Sequence, residues 1–365
     1  MTTPKKKGDS KKNRHVTLKM VAERVSLTKG TCSAVLNKSA ASRSVPPHTQ
    51  ERILKAAREL NYRPSFYARN LGVKRTYMIG VVTQEIGDFY GAPIISGIER
   101  YLRQKNCFFL TVAHRHDPIL LETYAHILQD RGVEGFITVD TFIDRPLPLP
   151  TVAIPGHRRL EGVTNIVLDH RKGARLALNH LIELGHDEIA FMKGSDASPD
   201  SEDRWKATRE VAEELGIRMR AELIAQLEGD DATPQLGYPF AKELLARKRP
   251  FTALFAYNDI SAIGSIRAFQ DAGLRVPEDV SVVGFDDIKI AVHNNPSLTT
   301  VRQPLQKMGE IAARALLDRI EEHTDWVPEI AIEPEFVVRN STAKALALPL
   351  APRDRGDYQD ALLRD

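Results

Sequence analysis

Three stretches carry side chains whose types and spacing could do chemistry. In the first, Lys29, Gly30, Thr31, Ser33 and Ala34 lie among the apolar positions Cys32, Val35 and Leu36 at helical spacing. A helix that buries one stripe and shows only short or polar groups elsewhere can enter a DNA major groove without clashing. An ordinary surface helix has the same periodicity. In the second, Asp88-Phe89-Tyr90 follows the apolar run 77–83. Aromatic rings at the C-terminal end of a strand can stack on a sugar or a base in a cleft, or simply pack a turn. The third is a pair of acidic dipeptide positions: Asn258-Asp259 after the strand-like LFAY, and Asp286-Asp287 after VVGF. Polar residues at the ends of such strands face one cleft, and Asp259 and Asp287 are expected to cap the helices that follow. Covalent or metal chemistry has little to stand on. The chain has no G-x-S-x-G, HExxH, Walker or G-x-G-x-x-G motif. His114-Arg115-His116 supplies two histidines with no third ligand near in sequence. The segment 157–161, HRRLE, reads as a solvated loop. The expectation is a protein that binds rather than an enzyme, with no cofactor and no metal.

The elements that must position these groups are of two kinds. Residues 16–63 read as a helical head. Thr17 caps a first helix whose inner face is Leu18, Val21, Ala22 and Val25, Ser26-Leu27 turns the chain, and Thr28 caps the second helix. Pro46-Pro47 starts a third helix, expected over 49–60. From Tyr77 the texture changes. Apolar runs (77–83, 108–113, 135–140, 151–154, 165–168, 188–193, 222–227, 253–257 and 280–285) alternate with amphipathic stretches (92–105, 118–131, 171–184, 202–215, 234–247 and 259–272). That alternation predicts about ten strands in two parallel sheets with helices on both faces.

Charge separates the same two regions. The net charge of the 365 residues is +3. Residues 1–76 hold 18 basic against 4 acidic side chains, a net +14, and the other 289 residues hold 33 against 44, a net −11. A basic head on an acidic body suits a nucleic-acid module joined to a separate domain. Residues 1–15 are polar and Lys-rich, expected as a disordered arm, and the 346–365 tail is expected to be loose. Two distant cysteines, Cys32 and Cys107, exclude a disulfide framework. With no apolar leader and no run of eighteen apolar residues, no membrane association is expected and the location is expected to be cytoplasmic.

VTLKMVAERVSLTKGTCSAVLN (16–37), TQERILKAARELNYRP (49–64) and ARNL (68–71) stand in an order and spacing that closely resemble the lac repressor (LacI/GalR) family of bacterial transcription regulators. The resemblance runs on to Val338-Arg339-Asn340-Ser341-Thr342. It implies an N-terminal helix-turn-helix head (16–63), a hinge helix and linker (64–76), and a two-lobed core resembling a periplasmic binding protein (77–345). The chain would cross between the lobes near 170, 302 and 329. In the head, the base-reading positions fall at Lys29, Gly30 and Ala34, with Leu18 a further base contact. Thr17, Thr31, Ser33 and Asn37 fall at phosphate contacts that set register. Leu71 matches the leucine that, one from each subunit, wedges into the minor groove. In the core, the resemblance carries effector contacts onto Arg204, Asn258, Asp286 and Leu305, beside the Phe89 and Tyr90 already read from their strand end. For Arg204 the alternative is a surface salt bridge to Glu202 or Asp203.

The chain also departs from the family pattern. Ala34 stands where an arginine is frequent, Met20 where an aspartate is usual, and Pro46 where a capping Ser or Thr is usual. The loop 37–45 is three residues longer. The segment 230–233 lacks an aromatic that some relatives have. The reading is a homodimeric, sequence-specific regulator, foremost a repressor, of a near-palindromic operator in double-stranded DNA. A small-molecule effector controls it, a sugar or sugar derivative first and a nucleobase second. The alternatives are a solute-binding protein without a regulatory role, and a sugar- or nucleoside-processing enzyme on the same core.

Overall fold

The computed structural model describes residues 16–62, 75–155, 159–196, 198, 200–229, 233–322 and 326–346. The expected basic arm, the expected hinge helix with Leu71, and the expected tail beyond Leu346 lie outside these residues. The chain divides into two compact units at Thr76/Tyr77.

The first unit is a three-helix head: α1 (Leu18–Val25), α2 (Lys29–Leu36) and α3 (Pro47–Glu59). Both expected threonine caps form. Thr17 Oγ1 accepts from the Met20 amide at 3.4 Å, and Thr28 Oγ1 accepts from the Thr31 amide at 3.1 Å. Each thereby satisfies an amide that the helix start leaves without an internal partner. Ser26 makes the turn in a left-handed conformation at φ 54°. Val21, Ala22, Val25, Cys32, Val35, Ile53, Ala56 and Ala57 bury together, with Leu18, Leu27 and Leu36 packed at the edge. Pro46 occupies the N-cap of α3 without a side-chain bond, and Pro47 starts the helix, two residues earlier than expected. The long loop before it is ordered by α3 itself. Gln50 donates to the carbonyls of Ser42 and Val45 at 3.0 and 2.8 Å, around a 3-10 turn at Ala40–Ser44.

The second unit contains two six-stranded sheets. The first lobe holds β1 (Met78–Thr83), α4 (Gly91–Gln104), β2 (Phe108–Ala113), α5 (Pro118–Asp130), β3 (Phe136–Val139), β4 (Thr151–Ile154) and β5 (Val163–Leu168). The second holds α6 (His170–Glu183), β6 (Ile189–Lys193), α7 (Ser201–Glu214), β7 (Ile224–Gln226), α8 (Tyr238–Ala246), β8 (Ala253–Phe255), α9 (Asp259–Asp271), β9 (Ser281–Asp286) and β10 (Thr299–Arg302). The chain then returns to the first lobe with α10 (Leu305–Glu322) and β11 (Glu329–Ile332), and ends in the second with β12 (Glu335–Val337). Strand order is β11-β5-β4-β3-β1-β2 in one sheet and β12-β10-β9-β8-β6-β7 in the other. All pairings are parallel except β10 with β12.

The lobes are therefore joined three times: between β5 and α6, between β10 and α10, and between β11 and β12. The last crossing falls at Glu333-Pro334, slightly beyond the expected 329. Ion pairs hold these joints. Lys172 Nζ meets Glu333 at 2.6 Å, and Arg302 meets Asp287 at 2.6 Å and Glu335 at 3.0 Å. β10, β11 and β12 were not expected as strands, because each is three or four residues long and lies outside the regular alternation.

The first lobe depends on a close helix pair. A Cβ on Gly97 of α4 would fall 1.9 Å from the Gln306 carbonyl oxygen, and one on Gly309 of α10 would fall 2.1 Å from the Ile94 oxygen. Only hydrogen at both positions lets these backbones touch. The returning helix is thereby locked onto a lobe whose other elements lie some 200 positions earlier in the chain.

Candidate functional site

In the head, α2 keeps Cys32 and Val35 buried. Lys29, Gly30 and Asn37 are exposed, and Thr31, Ser33 and Ala34 are half-buried. Three of the expected phosphate-contacting side chains already have partners. The Thr28 and Thr31 hydroxyls lie 2.9 Å apart, and Asn37 Nδ2 donates to Ser33 Oγ at 3.1 Å. Each of these hydroxyls keeps further hydrogen-bonding capacity. Thr17 is exposed at the head of α1, and Leu18 is half-buried at the rim of the apolar cluster.

In the second unit, a cavity of about 110 Å³ opens between the two sheets. Its first-lobe wall is Gln84, Glu85, Asp88, Phe89, Tyr90, His116 and Asp140, from the C-terminal ends of β1, β2 and β3. Its second-lobe wall includes Ser195, Ser198, Leu227, Tyr257, Asn258 and Asp286. This is where parallel sheets place ligands, since side chains at the strand ends converge on the crevice between crossovers.

Arg204 lies behind this wall, buried at 6% exposure. Its guanidinium pairs with Asp200, donates to the Tyr257 carbonyl at 2.7 Å, and stands 3.7 Å from an Asp286 oxygen. It also lies over the rings of Phe285 and Tyr257, 4.0 and 4.6 Å from their centroids. Burial alone would make the guanidinium easier to deprotonate, but the charges of Asp200 and Asp286 reverse that and hold it cationic. Asp200 accepts at 2.8 Å from His170 Nε2, the first residue of α6 after the β5 crossing. A run of contacts, His170–Asp200–Arg204–Asp286, thus leads from the interlobe joint into the cleft.

Asp286 is pushed up to about 6, by burial first, against the opposing pull of Arg204 and of Gln303, whose amide donates at 2.6 Å. Asp140 is pushed up to about 7 by burial and then by the charges of Asp88, Asp200 and Asp286. Burial also raises Asp88. Asp140 and Asp286 sit at strand ends with φ of 46° and 114°, conformations uncommon outside glycine. Tyr90 keeps its hydroxyl buried and without a hydrogen-bond partner.

Several expectations need correction. Asn258, not Asp259, is the N-cap of α9: its Oδ1 accepts from the Ser261 amide at 2.9 Å in a reciprocal capping box. The amide nitrogen of Asn258 and the second lone pair of Oδ1 remain for the cavity it lines. Asp259 is fully buried, accepting from the Ile288 amide at 2.9 Å and from Thr300 Oγ1 at 2.6 Å. Asp287 caps no helix; it binds Arg302 and Arg339, each at 2.6 Å. Leu305 is not in the cavity wall. It starts α10 and is 5% exposed in the apolar core of the first lobe, because that helix packs against α4 rather than toward the cleft. Of the two histidines read as too few for a metal site, His114 lies away from the cavity. It is buried and bonded to Thr141 at 3.1 Å, while His116 reaches the lining.

Comparison with known proteins decides what these two sites belong to. Residues 17–65 match the bacterial regulatory proteins of the lacI family, and residues 178–342 match a periplasmic binding protein-like domain. The transcriptional repressor PurR of Erwinia tasmaniensis is 33% identical over 337 residues, covering 90% of this chain and 97% of its own. The chain belongs to the lacI family of bacterial regulatory proteins. It is a DNA-binding transcriptional regulator with a two-lobed binding core. The PurR repressor of Haemophilus influenzae is 32% identical over 342 residues, covering 90% of this chain and 99% of its own. A lac repressor dimer bound to operator and the anti-inducer ONPF superposes with a TM-score of 0.81 at 26% identity, covering 90% of this chain and all of that one. The transcriptional regulator CelR in complex with cellobiose is 30% identical, with a TM-score of 0.65 over 89% of this chain and 99% of that one.

Within this lacI-family chain, sequence reasoning missed Asp140, Asp200, Ser198 and His170. Asp140 was legible only as the last residue of an apolar run. A polar residue ending a buried parallel strand is the signal that could have found it. Among the described residues no helix is long and apolar enough to cross a membrane, and no group of three His, Cys, Asp or Glu side chains is arranged to hold a metal.

Proposed function

We propose that this regulator is a homodimeric repressor acting in the cytoplasm, and that an effector in the 110 Å³ cleft sets its operator affinity. The observation that carries the reading is Arg204, buried between Asp200 and Asp286 at the back of a cavity walled by both lobes. A charged fork fixed there is preorganised to orient the carboxylates that meet a polar ligand. Phe89, Tyr90, Asn258 and Asp286 are the contacts we assign to that ligand, with Arg204 holding Asp286 in place. The lining suits a sugar first: aromatic faces at Phe89 and Tyr90 pack against a ring, and carboxylates accept from its hydroxyls. A nucleobase is the second reading, since the same rings could stack on it. Catalytic turnover is not part of the proposal, and a purely solute-binding role leaves the basic head without a use.

For the head we assign Lys29 and Gly30 as the groups nearest base edges, with Ala34 offering a methyl contact and Leu18 a further one. Thr17, Thr31, Ser33 and Asn37 would set register on phosphates. Residues 16–63 are the reading head, 64–76 the link with Leu71 as the minor-groove wedge, and 77–345 the sensing core. A ligand bridging both walls favours one angle between the lobes, and the His170–Asp200–Arg204–Asp286 contacts tie that angle to the joint at α6. A coupling of about 1–3 kcal/mol changes operator affinity about 5–150-fold.

The test begins by selecting operator sites from random DNA with the full chain. Mobility shifts on the selected site then follow, with and without a panel of neutral sugars and nucleobases. The expected site is near-palindromic, and at least one sugar should move the midpoint. Selection of no site refutes the DNA assignment. A midpoint moved by a nucleobase alone replaces the sugar reading with the second one.

A further inference from the structure

The cleft carries more negative charge than a neutral sugar calls for. Asp88, Asp140, Asp200 and Asp286 lie close enough that each of the last three raises the protonation of a neighbour. Against them the buried interior supplies Arg204, already committed to Asp200, to the Tyr257 carbonyl and to Asp286. His170 is committed to Asp200 on the far side of Arg204. Asp140 gains only a neutral partner. The Gln84 amide, oriented to satisfy its neighbours, donates to it at 3.2 Å and accepts from His116. Two further observations point to something entering from the cavity. The buried Tyr90 hydroxyl has no partner, and the Phe89 ring, 40% exposed, leaves a face open beside Asp88.

We infer that the effector is an amino sugar, whose protonated amine sits against Asp140 and Asp88 while its ring packs on Phe89 and Tyr90. This rests on reading the cleft as a sugar site. A carboxylate cluster in a poorly solvated crevice repels itself, and its members respond by taking up protons. A bound cation removes that repulsion, and its attraction is stronger there than in water. Aromatic faces beside the acids favour the same charge. A neutral sugar relieves nothing of the kind, since its hydroxyls meet carboxyl groups that are partly protonated.

The groups facing Asp140 come from every element around it: Asp88 ahead of α4, Asp200 and Arg204 at the start of α7, Asp286 at the end of β9, and Gln84 with His116 after β1 and β2. Acidification protonates the carboxylates first, so an amine ligand loses its partners as pH falls. Between pH 7 and pH 5 the amine can only gain charge, so a loss of affinity reports on the protein side.

The experiment measures thermal shifts and calorimetric affinities of the full chain with nine probes. These are glucosamine, galactosamine and mannosamine, the three parent neutral sugars, and their three N-acetyl derivatives. At least one amino sugar should stabilise the protein where its parent and its N-acetyl form do so at least tenfold more weakly in affinity. That advantage should fall about tenfold from pH 7 to pH 5 and disappear in Asp140→Asn. A single cooperative thermal melt of the core in Asp140→Asn shows that this variant is folded. A neutral or N-acetyl sugar that binds as well as its amine overturns the inference and leaves the sugar site standing. Silence from all nine probes sinks the sugar reading, and the inference with it. An amino-sugar preference that survives unchanged in Asp140→Asn overturns the assigned geometry.

Discussion

A single buried carboxyl group decides much of how this core responds to pH. Asp140 is held near 7 against an ordinary value of 3.8, so between these values the folded protein binds a proton that the unfolded chain has released. Its contribution to stability is therefore intact below about pH 4 and lost as pH rises toward 7, at up to roughly 1.4 kcal/mol per unit. Asp286, raised to about 6, adds in the same direction. Asp140→Asn should flatten the fall in melting temperature between pH 4 and 7 and leave the variant more stable than the parent at pH 8. A variant that keeps the parent's slope would show that Asp140 is not the group responsible. Arg204 makes the opposite case. Replacing it with Ala leaves Asp200 and Asp286 buried without their cation, a loss of about 3–5 kcal/mol. Arg204→Lys should recover part of the stability but little of the effector response, because one ammonium cannot reach Asp200, the Tyr257 carbonyl and Asp286 together. Thermal melts and effector titrations on the two variants separate these roles; an Arg204→Lys protein that responds normally refutes the positioning argument.

Elements hold these residues in place through contacts that are distant in sequence. α10 leaves the second lobe after β10 and packs on α4, and the glycines Gly97 and Gly309 make the backbones meet. Gly97→Ala drives a methyl into the Gln306 carbonyl, where neither backbone can step aside cheaply. Overpacking of this kind costs about 1–3 kcal/mol or more. The expected result is a lower urea midpoint for the core with DNA affinity per folded molecule unchanged; an unchanged midpoint would mean that the two helices are free to separate. The capping of α9 by Asn258 belongs at this scale too. It commits one lone pair of Oδ1 to helix stability and fixes the direction in which the rest of the amide faces the cavity.

For the whole molecule, charge is divided as function is. The net +14 of residues 1–76 stands against −11 for the rest, so operator affinity should reside in the head and fall steeply with salt as phosphate contacts release counterions. A fragment beginning at Tyr77 should keep its effector affinity and lose operator binding at every salt concentration. Retained operator binding by that fragment would contradict the assignment. Lys29→Ala on the full chain should weaken binding and, if Lys29 reads a base, relax preference at one position of each half-site.

The sequence by itself determined the local structure. The caps Thr17 and Thr28, the apolar stripe of α1, and the alternation of strands and helices from Tyr77 to Asp286 are short-range signals written in neighbouring residues. Even so, α8 starts four residues after the expected 234, and α10 lay outside the expected series. It also carried Phe89, Tyr90 and Asp286, because polar and aromatic residues at strand ends mark a crevice whatever the rest of the fold does. Tertiary structure alone decided how the cleft is charged. Asp140, Asp200 and Asp286 come from three separate stretches, and the protonation of Asp140 and Asp286 depends on burial and on neighbouring charges, which no window of sequence contains. It decided as well that Leu305 belongs to a core and that Asp259 and Asp287 hold loops and strands rather than helix ends. Asp259 and Asp287 find their partners 15 to 52 positions away in the second lobe, Arg339 alone among them after a return crossing. Leu305 packs in the first lobe, which the chain re-enters after β10.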